Sequence, residues 1–254
     1  MTLERDIAVV ILCAGKGTRM KSALVKVLHA LAGRPILSYL LDLAQSLKAC
    51  QTLVVIGYQG EKIREAFSGR GITFVEQREQ LGTGHAVLQT EPILKDFRGD
   101  VLILYGDVPL LRKETLERLI EEHRKTRAVL TALTARVENP TGYGRVIRGE
   151  GKKVEKVVEE KDASPEERLI DEINAGIYCV NASFLFNALH KIQSKNLQGE
   201  YYLTDIVAIA SQEGLPLAAI IVEDFQEVMG INDQVQLAHA EQVLRLRMSG
   251  GEET

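Results

Sequence analysis

The sequence IAVVIL at residues 7–12 decides the fold, and the glycine-containing sequence CAGKGTRM follows it directly at residues 13–20. An unbroken apolar run rich in β-branched residues is typical of a strand that is covered on both faces. Comparable runs lie at residues 52–56 and 101–104. Residues 35–47 begin with a proline and carry apolar side chains at helical spacing, which predicts an amphipathic helix. The chain therefore opens as a strand–loop–helix–strand unit.

Strands and helices continue to alternate through the first half of the chain. We expect a helix near residues 60–67, a short strand at residues 72–75 and a further helix that starts at Thr83. Alternation with short links predicts an α/β fold with a doubly wound, mostly parallel sheet of the Rossmann-like kind. Such sheets bind ligands at the carboxyl ends of their strands. The residues that follow two of the strands, 13–15 and 105–107, are therefore the first places to look for a site, and we call them the strand exits.

The sequence pattern changes after about residue 128. Apolar and polar residues alternate there, and turn sequences separate the segments, which predicts antiparallel strands with one solvent-exposed face. These segments are residues 129–137, 144–148 and 153–158. Later periodicity predicts helices at residues 182–192, 203–212 and 233–247 and a strand at residues 217–222. Residues 249–254 are predicted to form a flexible tail.

The composition restricts the classes of function. A length of 254 residues suits one α/β domain with a small lobe. The 31 basic and 35 acidic residues are spread along the chain and only 5% of residues are aromatic, so no nucleic-acid groove is expected. The charged N-terminal residues and the short apolar run after them predict no membrane span, and hence a soluble cytoplasmic protein. Reduced core thiols are expected for the three widely spaced cysteines, Cys13, Cys50 and Cys179.

The loop at residues 15–20 (GKGTRM) is a candidate phosphate site. It lacks the ending of a Walker loop, and Met20 stands where a dinucleotide-binding fingerprint has its third glycine. Backbone N–H groups of a glycine turn can approach phosphate oxygens closely, and Lys16 and Arg19 add positive charge. A purely structural turn is the alternative. By itself the loop indicates a phosphate without saying what molecule carries it.

Two further residues stand near the strand exits. Asp107 follows a buried strand, where a carboxylate is well placed to hold Mg²⁺ together with phosphate oxygens and water. A structural turn aspartate is the alternative. Lys26, taken alone, is most simply a solvated surface charge. The sequence contains no Ser/His/Asp or Cys/His nucleophile set, which favours direct phosphoryl-type transfer, where positioning and charge stabilisation carry the catalysis.

The sequence QLGTGH at residues 80–85 places two glycines and a hydroxyl where a helix is expected to begin. Close approach of the backbone to a planar base would suit this sequence, and an N-cap by Thr83 is the structural alternative. His85 has no partner at metal-ligand spacing, so it is predicted to be structural.

Together these segments resemble a known family. LCAGKGTRM at residues 12–20 and KVLH at residues 26–29 resemble the signature of sugar-phosphate nucleotidyltransferases. Further motifs narrow the resemblance to the uridyltransferase half of the bifunctional N-acetylglucosamine-1-phosphate uridyltransferase/glucosamine-1-phosphate acetyltransferase. These motifs are QREQLGTGH (77–85), YGDVPL (105–110), NPTGYGR (139–145), EEKDA (159–163), EIN (172–174), QGEYYLTD (198–205) and EVMGIN (227–232). They cover nearly the whole chain in the same order as in the family.

The resemblance implies roles for individual residues. The uridine nucleotide would be bound by Leu12, Ala14, Gly15, Lys16, Gly17, Gln77, Gly82, Thr83, Tyr105 and Gly106, of which Gln77, Gly82 and Thr83 read uracil. Catalysis would rest on Arg19, Lys26 and Asp107. The implied cofactor is Mg²⁺, held by Asp107 and Asn232. The amino-sugar pocket would consist of Gly144, Glu159, Asn174, Tyr202 and Thr204.

The implied reaction forms UDP-N-acetylglucosamine and pyrophosphate from UTP and N-acetylglucosamine 1-phosphate. A phosphate oxygen of the sugar would attack the α-phosphorus of UTP in line. Two alternatives stay open at this point. One is a pyrophosphorylase for another pair of substrates, such as a UDP- or dTDP-hexose enzyme. The other is a non-catalytic domain that binds sugar nucleotides to regulate a partner, against which the intact Lys26, Asp107 and Asn232 argue.

The resemblance also implies an organisation for the chain. We expect one nucleotidyltransferase domain over residues 1–248. Within it, residues 1–127 would bind the nucleotide, residues 128–231 would form a small antiparallel sugar-binding lobe, and residues 232–247 would form a C-terminal helix. The hexapeptide-repeat acetyltransferase domain of the family, which also trimerises it, is not expected here. A monomer or weak homo-oligomer with small-molecule substrates, and no nucleic-acid or membrane partner, is therefore predicted.

The sequence departs from the family pattern at three positions. Val25 stands where the family usually has proline before the lysine, which predicts a less rigid loop around Lys26. Ala175 replaces a small hydroxyl residue, and Met229 replaces an acidic residue. These two changes are expected either to alter sugar preference or to be neutral.

Overall fold

The computed structural model of the protein describes residues 6–249. Its strands are β1 (Ile7–Cys13), β2 (Ala30–Leu31), β3 (Arg34–Pro35), β4 (Gln51–Ile56), β5 (Thr73–Glu76), β6 (Asp100–Tyr105), β7 (Leu130–Arg136), β8 (Arg145–Arg148), β9 (Val154–Val158), β10 (Glu172–Asn181) and β11 (Leu217–Ile221). Apart from the short β2–β3 pair, they form one sheet in the order β11–β7–β10–β6–β1–β4–β5, with the β8–β9 hairpin attached to β10. Along this order only the pairings of β10 are antiparallel.

Helices cover both faces of this sheet. They are α1 (Ile36–Ser46), α2 (Gly60–Ala66), α3 (Thr83–Leu88), α4 (Glu91–Leu94), α5 (Lys113–Thr126), α6 (Ala182–Leu189), α7 (Asp205–Gln212) and α8 (Gln234–Ser249). Side chains of α1, α2 and α5 belong to one buried cluster, and those of α3, α4, α6 and α7 belong to a second. Helix α8 packs on the β2–β3 pair in a third, smaller cluster. In the part of the chain that the structure describes, every helix is too short or too polar to cross a bilayer.

Strand β1 shows why its sequence is apolar without interruption. Val9 and Ile11 contribute to the first cluster, whereas Ala8 and Val10 contribute to the second. Successive side chains of a strand point to opposite faces, so a strand with helices on both sides needs apolar residues at every position. Burying one such valine or isoleucine stabilises the fold by about 1.5–3 kcal/mol. The predicted doubly wound, mostly parallel α/β sheet is confirmed.

The prediction of a solvent-exposed face is wrong for β7. Leu133 and Ala135 lie in one core cluster and Leu130 and Ala132 in the other, which leaves only Arg136 of this strand exposed. The physical reason is that β7 lies inside the large sheet, between β10 and β11, where both faces are covered. Residue alternation cannot reveal this position, because the polar residues of the strand are small threonines that tolerate burial.

The predicted antiparallel lobe corresponds to the β8–β9 hairpin. Strand β9 buries Val154 and Val157 and exposes Glu155 and Lys156, as expected for a strand with one wet face. The hairpin is continuous with the main sheet, since β8 pairs with β10 at Ile173. The hairpin therefore belongs to the main sheet and does not form a separate one.

Strand β10 was not among the predicted elements, although residues 172–180 are buried throughout. Its register against β7 shifts between Asn174 and Tyr178, and Gly176 within this irregular stretch has a φ of +76°. A Cβ at Gly176 would lie 2.8 Å from the Tyr105 ring. Glycine is needed here both for the left-handed backbone and for the close approach of the ring.

Predicted boundaries agree with the observed ones to within a few residues elsewhere. Helix α8 continues to Ser249, so the first residue of the predicted flexible tail is helical, and residues 250–254 of that prediction lie outside the described residues. Cys13 and Cys179 are buried free thiols. Cys50 is also free but exposed, so the prediction of a core position is wrong for this cysteine, which lies just before β4.

Candidate active site

The two strand exits meet at one edge of the sheet. Strands β1 and β6 are parallel neighbours with Leu12 opposite Tyr105, and the Gly106 N–H donates to the Leu12 carbonyl oxygen at 2.9 Å. A cavity of about 240 Å³ opens at this edge. Its lining includes Leu12, Ala14, Gly15, Val25, Lys26, Gln77, Gln80, Gly82, Thr83, Tyr105, Asp107 and Glu200. The structure thus brings together most of the residues predicted to bind the nucleotide.

Four polar side chains converge near one end of this cavity. Lys26 Nζ lies 2.5 Å from Asp107 Oδ2 and 3.1 Å from Asn232 Oδ1. Arg19 donates to the same Asn232 oxygen at 2.8 Å. The Ile231 N–H donates to the Asp107 carbonyl oxygen at 2.8 Å, which fixes the segment carrying Asn232 against the exit of β6. The site therefore combines two cationic side chains and two side chains with ligand oxygens, from three segments that are distant in sequence.

Gly17 explains why Lys26 can reach this position. Gly17 has a φ of +59°, and a Cβ added to it would lie 2.9 Å from the Lys26 Cβ. The glycine loop therefore folds back on the segment that carries the lysine, and only glycine permits both the backbone angle and the contact.

Val25 adopts the backbone conformation expected of the proline that the family usually has at this position. Its φ is −59° and its ψ is 135°, values that a proline would also take. The Val25 side chain is only 4% exposed. Its packing therefore holds the segment in place, as the ring of a proline would do by restricting φ. The predicted loosening around Lys26 has no counterpart in this conformation.

Lys16, Gly17 and Arg19 do not belong to the cavity lining. The Lys16 side chain is exposed to solvent, and Arg19 reaches the site only through Asn232. Phosphate binding by Lys16 stays a prediction. An exposed cation on a glycine loop is nevertheless free to turn toward a triphosphate, since no tertiary contact has to be broken.

The other end of the cavity presents an amide and a backbone N–H. Gln77 follows β5, is 3% exposed, and donates from Nε2 to the Gly82 carbonyl oxygen at 3.0 Å. Gly82 has a φ of +112°, and a Cβ there would lie 2.6 Å from the Tyr201 carbonyl oxygen. Among the hydrogen bonds formed within residues 6–249, none uses the Gly82 N–H. This N–H can therefore donate to a ligand in the cavity.

The Thr83 side chain does not cap helix α3. Its hydroxyl oxygen accepts the Leu203 N–H at 3.0 Å, and the N-cap position is occupied by Gly82. The Gly84 N–H donates to the Tyr201 carbonyl oxygen at 2.8 Å. The loop assigned to the base is therefore bonded directly to the segment that carries the sugar-pocket residues Tyr202 and Thr204.

The five residues assigned to the amino sugar lie outside this cavity, and four of them lie close to one another. Thr204 donates to Glu159 Oε1 at 3.0 Å, and the Asn174 N–H donates to the Gly144 carbonyl oxygen at 2.8 Å. A Cβ on Gly144 would lie 3.6 Å from Glu159 Oε2. Burial, and then the charge of Glu159, raise the pKa of the Tyr105 hydroxyl, and Tyr105 itself lines the cavity.

Carboxyl groups dominate the electrostatics on the sugar side. Burial raises the pKa of Glu159, the hydrogen bond from Thr204 opposes that shift, and the charges of Asp205 and Asp162 add to it. Burial and the charge of Asp162 raise the pKa of Asp205 to about 6. The Tyr202 hydroxyl donates to Asp162 Oδ2 at 3.0 Å. Such acceptors suit the hydroxyl groups of a sugar and disfavour a phosphate.

The oxygen ligands fit a small, hard cation. Asp107 and Asn232 direct one oxygen each at the Lys26 ammonium group, so both already coordinate a single positive charge. Mg²⁺ commonly takes one or two protein oxygens and completes its octahedron with phosphate oxygens and water. Within residues 6–249, no cluster of three His, Cys, Asp or Glu residues could hold a metal without such help. The donor set therefore suits a metal that arrives with a nucleotide.

Gln80, Glu200 and His85 are polar residues at or beside the cavity that were not assigned to the site from the sequence. Gln80 and Glu200 line it, although both stand within quoted motifs. His85, predicted to be structural, has its Nδ1 3.0 Å from Gln77 Nε2. A motif marks the segment that approaches the ligand, but only the fold shows which of its side chains face the cavity.

Ala175 and Met229, the other departures from the family pattern, lie in apolar surroundings. Ala175 is buried in the core beside α5, and Met229 packs against the cluster around Leu31 and α8. Nothing in the structure connects either residue to a choice of sugar.

Residues 9–172 match the family described as the MobA-like NTP transferase domain. The chain belongs to this family. The match covers the glycine loop, Lys26, Asp107 and the β8–β9 hairpin, and it confirms the predicted nucleotidyltransferase class.

Two curated relatives support the narrower resemblance. The chain is 52% identical over 245 residues to the bifunctional protein GlmU of Pelobacter propionicus, and 54% identical over 245 residues to that of Geobacter sulfurreducens. Both matches cover 96% of this chain, but 53% and 52% of the relatives. The chain thus spans about half the length of the curated relatives it matches.

The fold is also similar to a solved structure. A UDP-glucose pyrophosphorylase complexed with UDP-glucose superposes with a TM-score of 0.75 over 95% of this chain and 99% of that chain. The sequence identity is 15%, so this similarity concerns the fold alone.

Proposed function

We propose that the protein transfers the uridylyl group of UTP to N-acetylglucosamine 1-phosphate and releases pyrophosphate. The observation that carries this proposal is the convergence of Lys26, Asp107, Asn232 and Arg19 near one end of the cavity. Gln77 lines the same cavity with a buried amide, which supports its assignment as the residue that reads the base. Cations and oxygen ligands at one end and a polar amide at the other are complementary to a nucleoside triphosphate.

In this proposal the nucleotide is held mainly by the backbone. Leu12, Ala14 and Gly15 contact the nucleoside through the loop after β1, while Gly82 and Thr83 contact the base together with Gln77. Tyr105, the last residue of β6, forms part of the cavity wall, and Gly106 directly after it holds the end of β6 against Leu12. Main-chain groups suit this task because folding has already fixed them, so binding orders few side chains.

Charge stabilisation is the main catalytic contribution of the chain. Lys16, Arg19 and Lys26 neutralise the triphosphate and the charge that develops when pyrophosphate leaves. Asp107 and Asn232 would hold Mg²⁺, which offsets phosphate charge and orients the triphosphate. The attacking sugar phosphate is already ionised at neutral pH, so the chain needs no general base.

The buried thiol beside the site agrees with direct transfer. Burial, and then the charge of Asp107, raise the pKa of Cys13 well above its ordinary value. The thiol therefore stays protonated and is a poor nucleophile, since the thiolate is the reactive form.

The sugar is oriented by Gly144, Glu159, Asn174, Tyr202 and Thr204. The Asn174 oxygen accepts hydrogen bonds from the Gly176 N–H at 3.1 Å and from the Tyr178 hydroxyl at 2.8 Å. The amide NH₂ of Asn174 is therefore left to donate to the substrate. Carboxylate acceptors together with an amide donor match hydroxyl groups and an acetamido carbonyl.

A pyrophosphorylase for another nucleotide and sugar is the second candidate. The observation in its favour is the similarity of the fold to a UDP-glucose pyrophosphorylase. A non-catalytic regulatory domain is less well supported, because binding alone does not require two cations and two oxygen ligands at one place.

Pyrophosphate release from a matrix of nucleotides and sugar 1-phosphates, with Mg²⁺ present, tests the proposal. Release is expected with UTP and N-acetylglucosamine 1-phosphate, and much less with CTP, ATP, GTP or glucose 1-phosphate. Release only with a different pair would replace the substrate assignment. Binding of UDP-N-acetylglucosamine without release from any pair would favour the regulatory domain.

The proposal includes small-molecule substrates as the principal partners and the cytoplasm as the place of reaction. Both follow from the nature of UTP and sugar phosphates as cytoplasmic metabolites. A monomer or weak homo-oligomer stays a prediction, which analytical ultracentrifugation of the purified chain would test.

A further inference from the structure

The His85 ring contacts the Gln77 side chain, and the proposed function does not yet account for this contact. Its Nδ1 lies 3.0 Å from Gln77 Nε2, and the same Nε2 lies 3.0 Å from the Gly82 carbonyl oxygen. A carbonyl oxygen can only accept, so the NH₂ end of the Gln77 amide must face Gly82. The same NH₂ group then faces His85, whose Nδ1 must be the unprotonated nitrogen. Both amide protons are thereby used, one by Gly82 and one by His85.

This double contact determines where the oxygen of the Gln77 amide is presented. Gln77 is 3% exposed and lines the cavity, and its backbone N–H donates to the Ile56 carbonyl oxygen at 2.7 Å. Neither the backbone nor the amide is free to turn without breaking a bond. Among the hydrogen bonds that join residues 6–249, none ends on Gln77 Oε1. The oxygen is therefore the acceptor available to a ligand.

The orientation of this amide distinguishes the pyrimidine bases. Uracil and thymine carry a proton on N3 next to a carbonyl oxygen, whereas cytosine has a bare N3 next to an amino group. An acceptor at Gln77 and a donor at the Gly82 N–H match uracil at both atoms and oppose cytosine at both. If the Gln77 amide turned over, its NH₂ group would suit the bare N3 of cytosine instead.

We propose that His85 is the positioning residue that sets the base preference of the site. Its neutral ring, with the proton on Nε2, holds the Gln77 amide with the oxygen toward the base and so selects a base with a protonated N3. The inference rests on the proposed function, because it takes a pyrimidine nucleotide as the ligand.

Gln89 completes the surroundings of the ring. Gln89 Nε2 lies 3.1 Å from His85 Nε2, and Gln89 is more exposed than Gln77. Gln89 Nε2 also donates to the His85 carbonyl oxygen at 3.0 Å. A proton on His85 Nε2 therefore requires the Gln89 amide to turn over and give up that bond. Gln89 is partly exposed, so water can replace the lost bond, whereas the buried Gln77 amide has no such replacement.

Three variants separate this role from a merely structural one. His85→Phe keeps a planar ring and removes the acceptor, and His85→Leu removes the acceptor if the phenylalanine variant does not fold. His85→Asn keeps an acceptor, since its amide oxygen can take the place of Nδ1. His190→Phe is the matched control, because His190 is exposed and contacts Glu91 away from the cavity.

The measurement is kcat and KM with UTP and with CTP at saturating N-acetylglucosamine 1-phosphate. The UTP/CTP ratio of kcat/KM should fall about tenfold to a hundredfold in His85→Phe or His85→Leu, the effect expected when a buried amide proton loses its acceptor. The loss should appear mainly in the KM for UTP. His85→Asn should recover most of the ratio, and His190→Phe should leave it unchanged.

An unchanged ratio in a folded His85→Phe or His85→Leu variant would overturn the inference, and so would a folded His85→Asn variant that behaves like them. Failure of the proposed function looks different, because the wild-type protein would then release no pyrophosphate from UTP. If the wild type prefers dTTP, the dTTP/dCTP ratio replaces UTP/CTP with the same expectations.

Discussion

The proposed nucleotide side and the proposed sugar side of the site are built from different parts of the fold. On the nucleotide side, backbone groups at the exits of the parallel strands β1 and β6 form the cavity, and glycines such as Gly17 and Gly82 admit no Cβ. On the sugar side, Thr204 before α7 donates to Glu159 just after β9, and Tyr178 donates to Asn174 within β10. The first side relies largely on main-chain groups at strand ends, and the second relies largely on side chains.

The two sides also differ in charge. Lys26 and Arg19 lie on the nucleotide side, where phosphate charge is expected to develop. Glu159, Asp162 and Asp205 lie on the sugar side, where burial and neighbouring carboxylate charge raise the pKa of Glu159 and of Asp205. Changes on the nucleotide side should therefore abolish turnover, whereas changes on the sugar side should alter affinity for the sugar phosphate.

The largest effect is expected for Asp107→Ala. Removal of this carboxylate leaves Lys26 with Asn232 alone and takes away the charged ligand proposed for Mg²⁺, so kcat should fall by about a thousandfold. Pyrophosphate release and a Mn²⁺ titration in the presence of UTP would measure both losses. Asp171→Ala is the control, since Asp171 is exposed and, among residues 6–249, its carboxylate pairs with Arg136 at 3.4 Å and not with the site. Unchanged turnover with the metal still bound would contradict the metal assignment.

Gly17→Ala tests whether the glycine loop positions Lys26. The new Cβ would meet the Lys26 Cβ at 2.9 Å, and we expect kcat to fall about tenfold to a hundredfold as the ammonium group is displaced. Gly69→Ala is the matched control, because Gly69 also has a positive φ but has no atom within 4 Å of an added Cβ. Both variants should lose about 1 kcal/mol of unfolding free energy. Equal kcat values for the two variants would show that the contact is irrelevant.

Thr204→Val tests whether a change on the proposed sugar side affects the sugar phosphate alone. The variant removes the hydroxyl that donates to Glu159 Oε1 at 3.0 Å, so Glu159 should be less well oriented. We expect the KM for the sugar phosphate to rise about tenfold, with the KM for UTP nearly unchanged. Thr126→Val serves as a control, since the Thr126 hydroxyl bonds only within α5. A larger rise in the KM for UTP would break the proposed division between the two sides.

The smallest effect concerns Asp205, whose pKa is raised from its ordinary value of 3.8 to about 6 by burial and by Asp162. A raised carboxyl pKa means that the folded state binds the proton more tightly, so stability falls as the pH rises from about 4 to 6 and then levels off. Asp205→Asn should therefore be more stable than the wild type above pH 6, and this advantage should shrink toward pH 4.

We expect a difference of about 1 kcal/mol, because solvent screens this half-buried group and the start of α7 favours its charge. Urea unfolding at several pH values would measure it. A difference that does not depend on pH would mean that Asp205 is not the titrating group.

Local patterns predicted much of the fold and failed where burial depends on neighbours. The run at residues 7–12 predicted a strand covered on both faces, and the structure places it in the middle of the sheet. The alternation at residues 129–137 predicted a wet face, yet β7 is covered on both sides by elements far away in sequence. Strand β10 lacked a recognisable pattern because Gly176 and an irregular register interrupt it.

In the candidate site, too, features of short stretches of chain could be predicted and features that depend on the fold could not. Asp107 and the glycine loop could be predicted, because carboxyl ends of parallel strands bind ligands and the exits of β1 and β6 are neighbours. Gln80, Glu200 and the contact between His85 and Gln77 could not, because they depend on which way individual side chains turn. Whether the predicted residues act as assigned stays a prediction for the variants above.

By itself, the sequence determined the α/β class and the segments that border the cavity, because hydrophobic periodicity and glycine positions are properties of short stretches of chain. The glycine sequence after β1 could indicate phosphate for the same reason. Only the tertiary structure decided that Asn232 meets Asp107 at Lys26, and that Gly17 must lack a side chain for this to happen. Those contacts join residues that are distant in the chain, and chain folding alone brings them within hydrogen-bonding distance.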